Sequence, residues 1–146
     1  MRYLSSLKLL AGIVALAFLA GCAKPPASSQ VNPWLRIEAL PPADPQKITS
    51  VRNMKDWKNP YLIVRVDGVA LLDASNNEQR ILKPDQLVGA LAQLPASAWP
   101  YGRVVAVAQN AVFGSDADKA QLRRNRAVVA GTLEDLQVLI NWVPSA

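Results

Sequence analysis

Apolar positions are grouped on two different scales along this chain. Leu9–Leu19 is an almost unbroken apolar run, with Arg2 and Lys8 ahead of it. From residue 59 onward the apolar residues come in short groups separated by turn formers. Tyr61-Leu-Ile-Val-Arg-Val66 is rich in β-branched residues and reads as a strand, and Asp67-Gly68 separates it from Val69-Ala-Leu-Leu72. Asp-Gly between two apolar runs is a strong hairpin signal. Ser75-Asn76-Asn77 marks a turn or loop. Lys83-Pro84-Asp85 opens a helix, with proline in the first turn, where its missing donor costs nothing. Leu87, Leu91 and Leu94 then share one helix face, and Pro95 ends it. Ala96–Gly102 reads as a loop holding Trp99-Pro100, and Arg103–Ala108 as a buried strand. Gly114-Ser115 punctuates before a helix from Asp116 to about Leu133, and Val138–Val143 makes a last strand. The order hairpin–helix–strand–helix–strand predicts a small α+β two-layer sandwich with both helices on one face.

Between these regimes the pattern fades. Ala23 to Pro60 holds seven prolines, among them Pro25, Pro26, Pro41 and Pro42, with Ser28 and Ser29 nearby. Proline fixes φ and removes a donor, so this stretch reads as a tether, not as one helix or a central strand. Within it, Gln46–Trp57 after Asp44-Pro45 could form a short helix, and Trp34, Leu35, Ile37 and Trp57 are apolar enough to dock. The expected organisation is a leader over 1–21, a tether over 22–58 and an α+β domain over 59–146.

Length and charge narrow the function. The chain has 146 residues, room for one modest domain. Its basic head, short apolar run and small residues at 20 and 21 describe a secretory signal; a finished bilayer span needs roughly 20 apolar residues. Loss of that leader removes Arg2 and Lys8 and takes the formal net charge from +5 to +3. So mild a charge, with no aromatic–basic interleaving, argues against nucleic acid as a partner. The single cysteine, Cys22, excludes a disulfide within the chain.

The chemistry inventory points to binding. There is no histidine, so the ordinary general base near neutral pH is missing. No cofactor, metal or catalytic residue is expected. Asp116 and Asp118 stand at a helix start, where acids commonly serve the cap and the dipole. An envelope hydrolase built on two carboxylates remains the lesser alternative; a glycosidase-like pair would need a separation of about 5 to 9.5 Å. Projected at about 100° per residue from Leu122, Val129, Leu133 and Leu136 fall within about 40° and make the buried stripe, and Arg126 also lies about 40° away. A guanidinium so near the stripe either snorkels with its head on a carboxylate such as Asp118 or is aimed into a pocket to hold a carboxylate.

Two resemblances add to this reading. Leu19-Ala20-Gly21-Cys22 resembles the lipobox of bacterial lipoproteins, which implies cleavage before Cys22, a diacylglyceryl thioether on its sulfur and an acyl chain, typically palmitate, on its new amine. Several acyl chains anchor durably where one would not. Ala23, where an aspartate would signal inner-membrane retention, implies the periplasmic face of the outer membrane.

Gly114-Ser-Asp-Ala117, Leu122 and Arg126-Ala127, together with Ile81-Leu-Lys-Pro84 and Val104-Val-Ala-Val107, resemble OmpA-like peptidoglycan-binding domains over about Leu82–Val143. In that family a strand-end aspartate and the helix arginine clamp the diaminopimelate of the stem peptide. Arg126 matches the arginine. The aspartate's place falls on Ala111 and the preceding threonine's on Asn110, so half the clamp is absent unless Asp116 or Asp118 supplies a carboxylate. The implied ligand-binding set is Arg126, Asn110, Asp116 and Asp118. The implied partners are peptidoglycan or envelope proteins, in a multi-protein complex such as the type IVB secretion and conjugation assemblies. The hairpin–helix–strand–helix–strand order with Tyr101-Gly-Arg-Val-Val105 also looks like the periplasmic domain of ExbD/TolR proteins, which keep an uncleaved membrane helix.

Overall fold

The computed structural model describes residues 31–73, 78–110 and 114–144; the expected leader over 1–21, Cys22 and Ala111 lie outside the described residues. β1 (Tyr61–Arg65) and β2 (Gly68–Asp73) pair antiparallel around the two-residue turn Val66-Asp67. Gly68 sits at φ +148°, and a Cβ there would meet the Leu82 carbonyl of the neighbouring strand. That neighbour is β3 (Glu78–Leu82), antiparallel to β2. The expected hairpin is therefore a three-stranded meander.

Two crossovers complete the sheet. α3 (Leu87–Gln93), after a 3-10 turn at Pro84–Gln86, leads to β4 (Val104–Gln109), which lies parallel to β1. α4 (Asp116–Asp135) leads to β5 (Leu139–Trp142), parallel to β4. The sheet order is β3-β2-β1-β4-β5, and the fold is a small α+β one. Parallel neighbours require crossovers of this kind, whereas the meander needs only short turns.

One face of the sheet holds the main core. Leu62, Val64, Leu71, Val105 and Val107 pack against Leu87 and Leu91 of α3 and Leu122, Val129 and Leu133 of α4. The stripe read at spacings of three and four is thus the buried stripe of each helix.

The Pro-rich segment departs from expectation. Over its described part it is folded onto the domain on both faces of the sheet, so the folded body takes in residues 32–58 ahead of Asn59. α1 (Pro33–Glu38) starts at Asn32, whose side chain accepts from the Trp34 N–H, with Pro33 at the first helical position. Its Ile37 is wholly buried in the main core, while Trp34 and Leu35 stay exposed. α2 (Pro45–Ser50) repeats the device, with Asp44 accepting from the Gln46 and Lys47 N–H groups ahead of Pro45. Prolines here begin helices instead of preventing them.

On the opposite sheet face Trp57, Val104 and Ala106 form a second cluster, with Ile48, Val51 and Tyr61 packed against it. The Trp57 and Tyr101 rings lie 5.2 Å apart, tilted by 59°. The connection is held by backbone: Arg103 N–H donates to the Pro41 carbonyl and Asp44 N–H to the Tyr101 carbonyl, both at 2.9 Å. Gly102, at φ +77°, permits this approach, since a Cβ would collide with the Pro41 and Pro42 carbonyls.

Candidate functional site: the Arg126 face of the last helix

Ser115 begins α4 with a capping box. Its Oγ accepts from the Asp118 N–H at 3.2 Å, and Asp118 Oδ2 accepts from the Ser115 N–H at 3.0 Å. Asp116 is fully exposed and paired with Lys119 at 3.1 Å. Both acids of the proposed ligand-binding set are engaged at the helix start, where the N-terminal dipole favours them. Among the described residues neither forms an ion pair with Arg126.

Arg126 sits two turns further along α4 and is exposed. Its Nη1 donates to Gln109 Oε1 at 3.4 Å, and its guanidinium carbon stands 4.3 Å from the centroid of the Trp142 ring. Gln109 ends β4 and Trp142 ends β5, so the arginine spans the last two strands on the helix-covered side. The snorkelling alternative expected Asp118 as its partner; an amide and an indole take that place. Asn110, next to Gln109, is exposed, and its N–H donates to the Val64 carbonyl at 2.9 Å, which anchors the end of β4 on β1. Of the four residues proposed from sequence, Arg126 and Asn110 flank the β4 terminus, while Asp116 and Asp118 belong to the helix cap.

The polar residue that α4 buries is Asn125. It is 5% exposed, donates to the Arg65 and Val66 carbonyls at 2.8 and 3.1 Å, and accepts from Gln121 Nε2 at 2.9 Å. It therefore ties the helix to the β1–β2 turn. Its angle from Leu122, about 60° on the side away from Arg126, could have singled it out. Asn59 is the other buried polar residue among those described. It donates to the Gly102 and Val104 carbonyls, 2.8 Å each, and accepts from the Tyr101 N–H at 2.9 Å.

Of the tryptophans, Trp99 is 3% exposed and belongs to the core, whereas Trp142 keeps 42% of its surface in solvent. A guanidinium stacked on an indole, with an amide oxygen beside it, can take a carboxylate or a backbone carbonyl from a partner. A stacked pair at so exposed a place is worth about 0.5–1 kcal/mol on its own. Elsewhere a shallow groove runs between β3 and α3, lined by Arg80, Leu82, Gln86, Gly89 and Gln93. Among the described residues no three His, Cys, Asp or Glu side chains gather as a metal ion would need, and no helix is long and apolar enough to cross a membrane. Compared with known protein families, with curated proteins and with solved structures, the chain matches none.

Proposed function

We propose that this protein is an outer-membrane lipoprotein whose α+β domain binds other envelope proteins and holds a multi-protein complex at the membrane, without catalysis. One observation carries the reading: the chain's only cysteine stands directly behind a basic head, an apolar run and the small pair Ala20-Gly21. The fold adds a geometric consequence. The folded body includes Asn32, so from an acylated Cys22 the intervening chain can span at most about 35 Å. A domain held that close to its membrane works on partners in the same layer.

Protein partners are favoured over peptidoglycan because Arg126, which the OmpA-like resemblance assigns to diaminopimelate, lies beside Gln109 and Trp142 and among the described residues forms no ion pair with a carboxylate. The secretion and conjugation assemblies named with that resemblance are the company such a lipoprotein would keep. A second reading, an ExbD/TolR-like interaction domain, draws on the strand–helix–strand–helix–strand order with both crossover helices on one sheet face. It differs in keeping residues 1–21.

Radiolabelled palmitate distinguishes these. The wild-type chain should incorporate label, lose its first 21 residues and fractionate with the outer membrane, and Cys22→Ser should do none of these. An unlabelled wild-type chain that keeps its leader would replace the lipoprotein reading with the ExbD/TolR-like one. Mild crosslinking of the envelope should recover partner proteins, with the wild-type chain absent from sedimented sacculi. Sedimentation with sacculi that Arg126→Ala abolishes would put the cell wall in the partner's place.

A further inference from the structure

The two edges of the sheet are unlike. β3 carries Glu78 and Arg80 and is followed by Lys83. Charges are what proteins place at an edge to keep it from pairing. β5, Leu139-Ile-Asn-Trp142, has no charge, and the chain is uncharged from Val138 to Val143, with Pro144 two residues beyond the strand as Pro84 is beyond β3. Leu139 and Trp142 are 50% and 42% exposed. The Leu139 N–H donates to the Arg103 carbonyl and the Val143 N–H to the Val107 carbonyl, at 2.9 and 3.0 Å. Backbone groups alternate along a strand, so the N–H and C=O groups of Ile140 and Trp142 point away from β4, out of the free edge. Among the described residues β4 is the sole strand beside β5.

We propose that β5 pairs antiparallel with β5 of a second copy of this chain, about a two-fold axis at Asn141, joining two sheets into one. The outward groups lie symmetrically on either side of Asn141. The axis therefore sets Ile140 of one copy opposite Trp142 of the other, twice, as hydrogen-bonded pairs that exchange four N–H···O bonds. On the other face Leu139 meets Val143 of the second copy, and Asn141 meets Asn141. Each cross-strand pair off the axis is apolar, the kind that stabilises adjacent strands. Charge argues for a second copy specifically. Two-fold pairing brings like residues together near the axis, so any charge on the strand at its centre would face its own sign, and Val138–Val143 has none; the nearest, Arg126, lies over the Trp142 ring on the helix-covered face. Four residues a side bury less than the roughly 1,200 Å² of a standard interface, so the pairing exchanges readily and is populated at high local concentration. Sharing a membrane would raise that concentration, but the pairing itself does not depend on the anchor.

Thiol trapping tests the register in the whole chain carrying Cys22→Ser, where an introduced cysteine is the only thiol. Across the axis the Asn141 Cα atoms lie about 4.5 Å apart, within disulfide reach. Those of Leu139 lie roughly 14 Å apart, beyond it. Under mild oxidation Asn141→Cys should become mostly a disulfide-linked dimer at least about tenfold faster than Leu139→Cys. If Asn141→Cys stays monomeric while folded, or the two cross-link at equal rates, the proposal is overturned. Should Asn141→Cys fail to fold, mixed Leu139→Cys and Val143→Cys chains keep the question decidable. The proposed register predicts a disulfide between them in preference to either self-linked product, and its absence overturns the register.

Discussion

Asn59 and Asn125 carry more of the architecture than any charged residue of the described chain. Asn59 satisfies three backbone groups of the 101–104 segment, and Asn125 satisfies two at the β1–β2 turn. Removing one partner of a buried hydrogen bond leaves the other with its desolvation cost, about 1–3 kcal/mol. Asn59→Ala should therefore lower unfolding free energy by about 3 kcal/mol, with Asn125→Ala nearer 1–2 kcal/mol, measured by urea denaturation. An Asn59→Ala chain as stable as wild type would show that water replaces those bonds. Apolar spacing passes over Asn59 and reaches Asn125 only through its angle to the buried stripe, because periodicity weighs a residue by its own polarity and not by the carbonyls it will meet. The charged pair matters less. Arg65 bonds Asp67 across the hairpin turn and holds that carboxyl below its ordinary value, while the same contact raises the arginine. A depressed folded pKa contributes stability that is present above the unfolded value, about 3.9, and is lost as pH falls through the folded one. Both groups are solvent-exposed, so the contribution is small. Asp67→Asn should lower the thermal midpoint slightly at neutral pH, and the difference from wild type should vanish in strong acid.

At the scale of elements, what could be read depended on how much of each element is buried. β1 was legible by its alternation, β2 and β4 as short apolar runs buried on both faces, and the two crossover helices by a buried stripe of the right period. β3 was not. As an edge strand its sequence, Glu78-Gln-Arg-Ile-Leu82, mixes charge on one face with an exposed Ile81 on the other, so no alternation survives. α1 was hidden for another reason, and α2 was read only as a short helix over Gln46–Trp57, of which Pro45–Ser50 is helical. Each is six residues long, too short for a stripe to repeat, and is specified by its start: Asn32-Pro33 and Asp44-Pro45. Proline counted as composition suggests a spacer, whereas proline read one residue after a capping side chain marks a helix. Ile37→Ala tests whether α1 belongs to the core. A wholly buried isoleucine cut back to alanine should cost about 2–5 kcal/mol. Leu35→Ala, one helix position from exposed Trp34, should stay within about 0.5 kcal/mol of wild type. Equal effects would mean that α1 does not contribute its buried face to stability.

The whole molecule turns on where the folded unit begins. The ligand-binding set read from sequence was a cluster of residues on one helix start and one strand end, and the structure divides it: the acids close a cap while Arg126 lies across Gln109 and Trp142. Spacing along α4 could place Arg126 beside the core stripe, but its indole partner lies on a strand sixteen residues later, a neighbour that only the sheet order supplies. The same long-range logic governs the N-terminal segment. It covers Val104 and Ala106 on one sheet face through Trp57 and inserts Ile37 on the other. A chain begun at Asn59 would lose both side chains, at about 2–5 kcal/mol for isoleucine and 3–5 for tryptophan, and would expose the strand surface beneath them. Together these approach the 5–15 kcal/mol that holds an ordinary domain folded. A chain from Val31 should unfold cooperatively with urea. One from Asn59 should show a shallow, early transition and bind a hydrophobic dye, as a sheet with one open face does. Equal cooperativity in the two would return residues 31–58 to the role of tether and lengthen the reach from Cys22 accordingly, loosening the confinement that places its partners at the membrane.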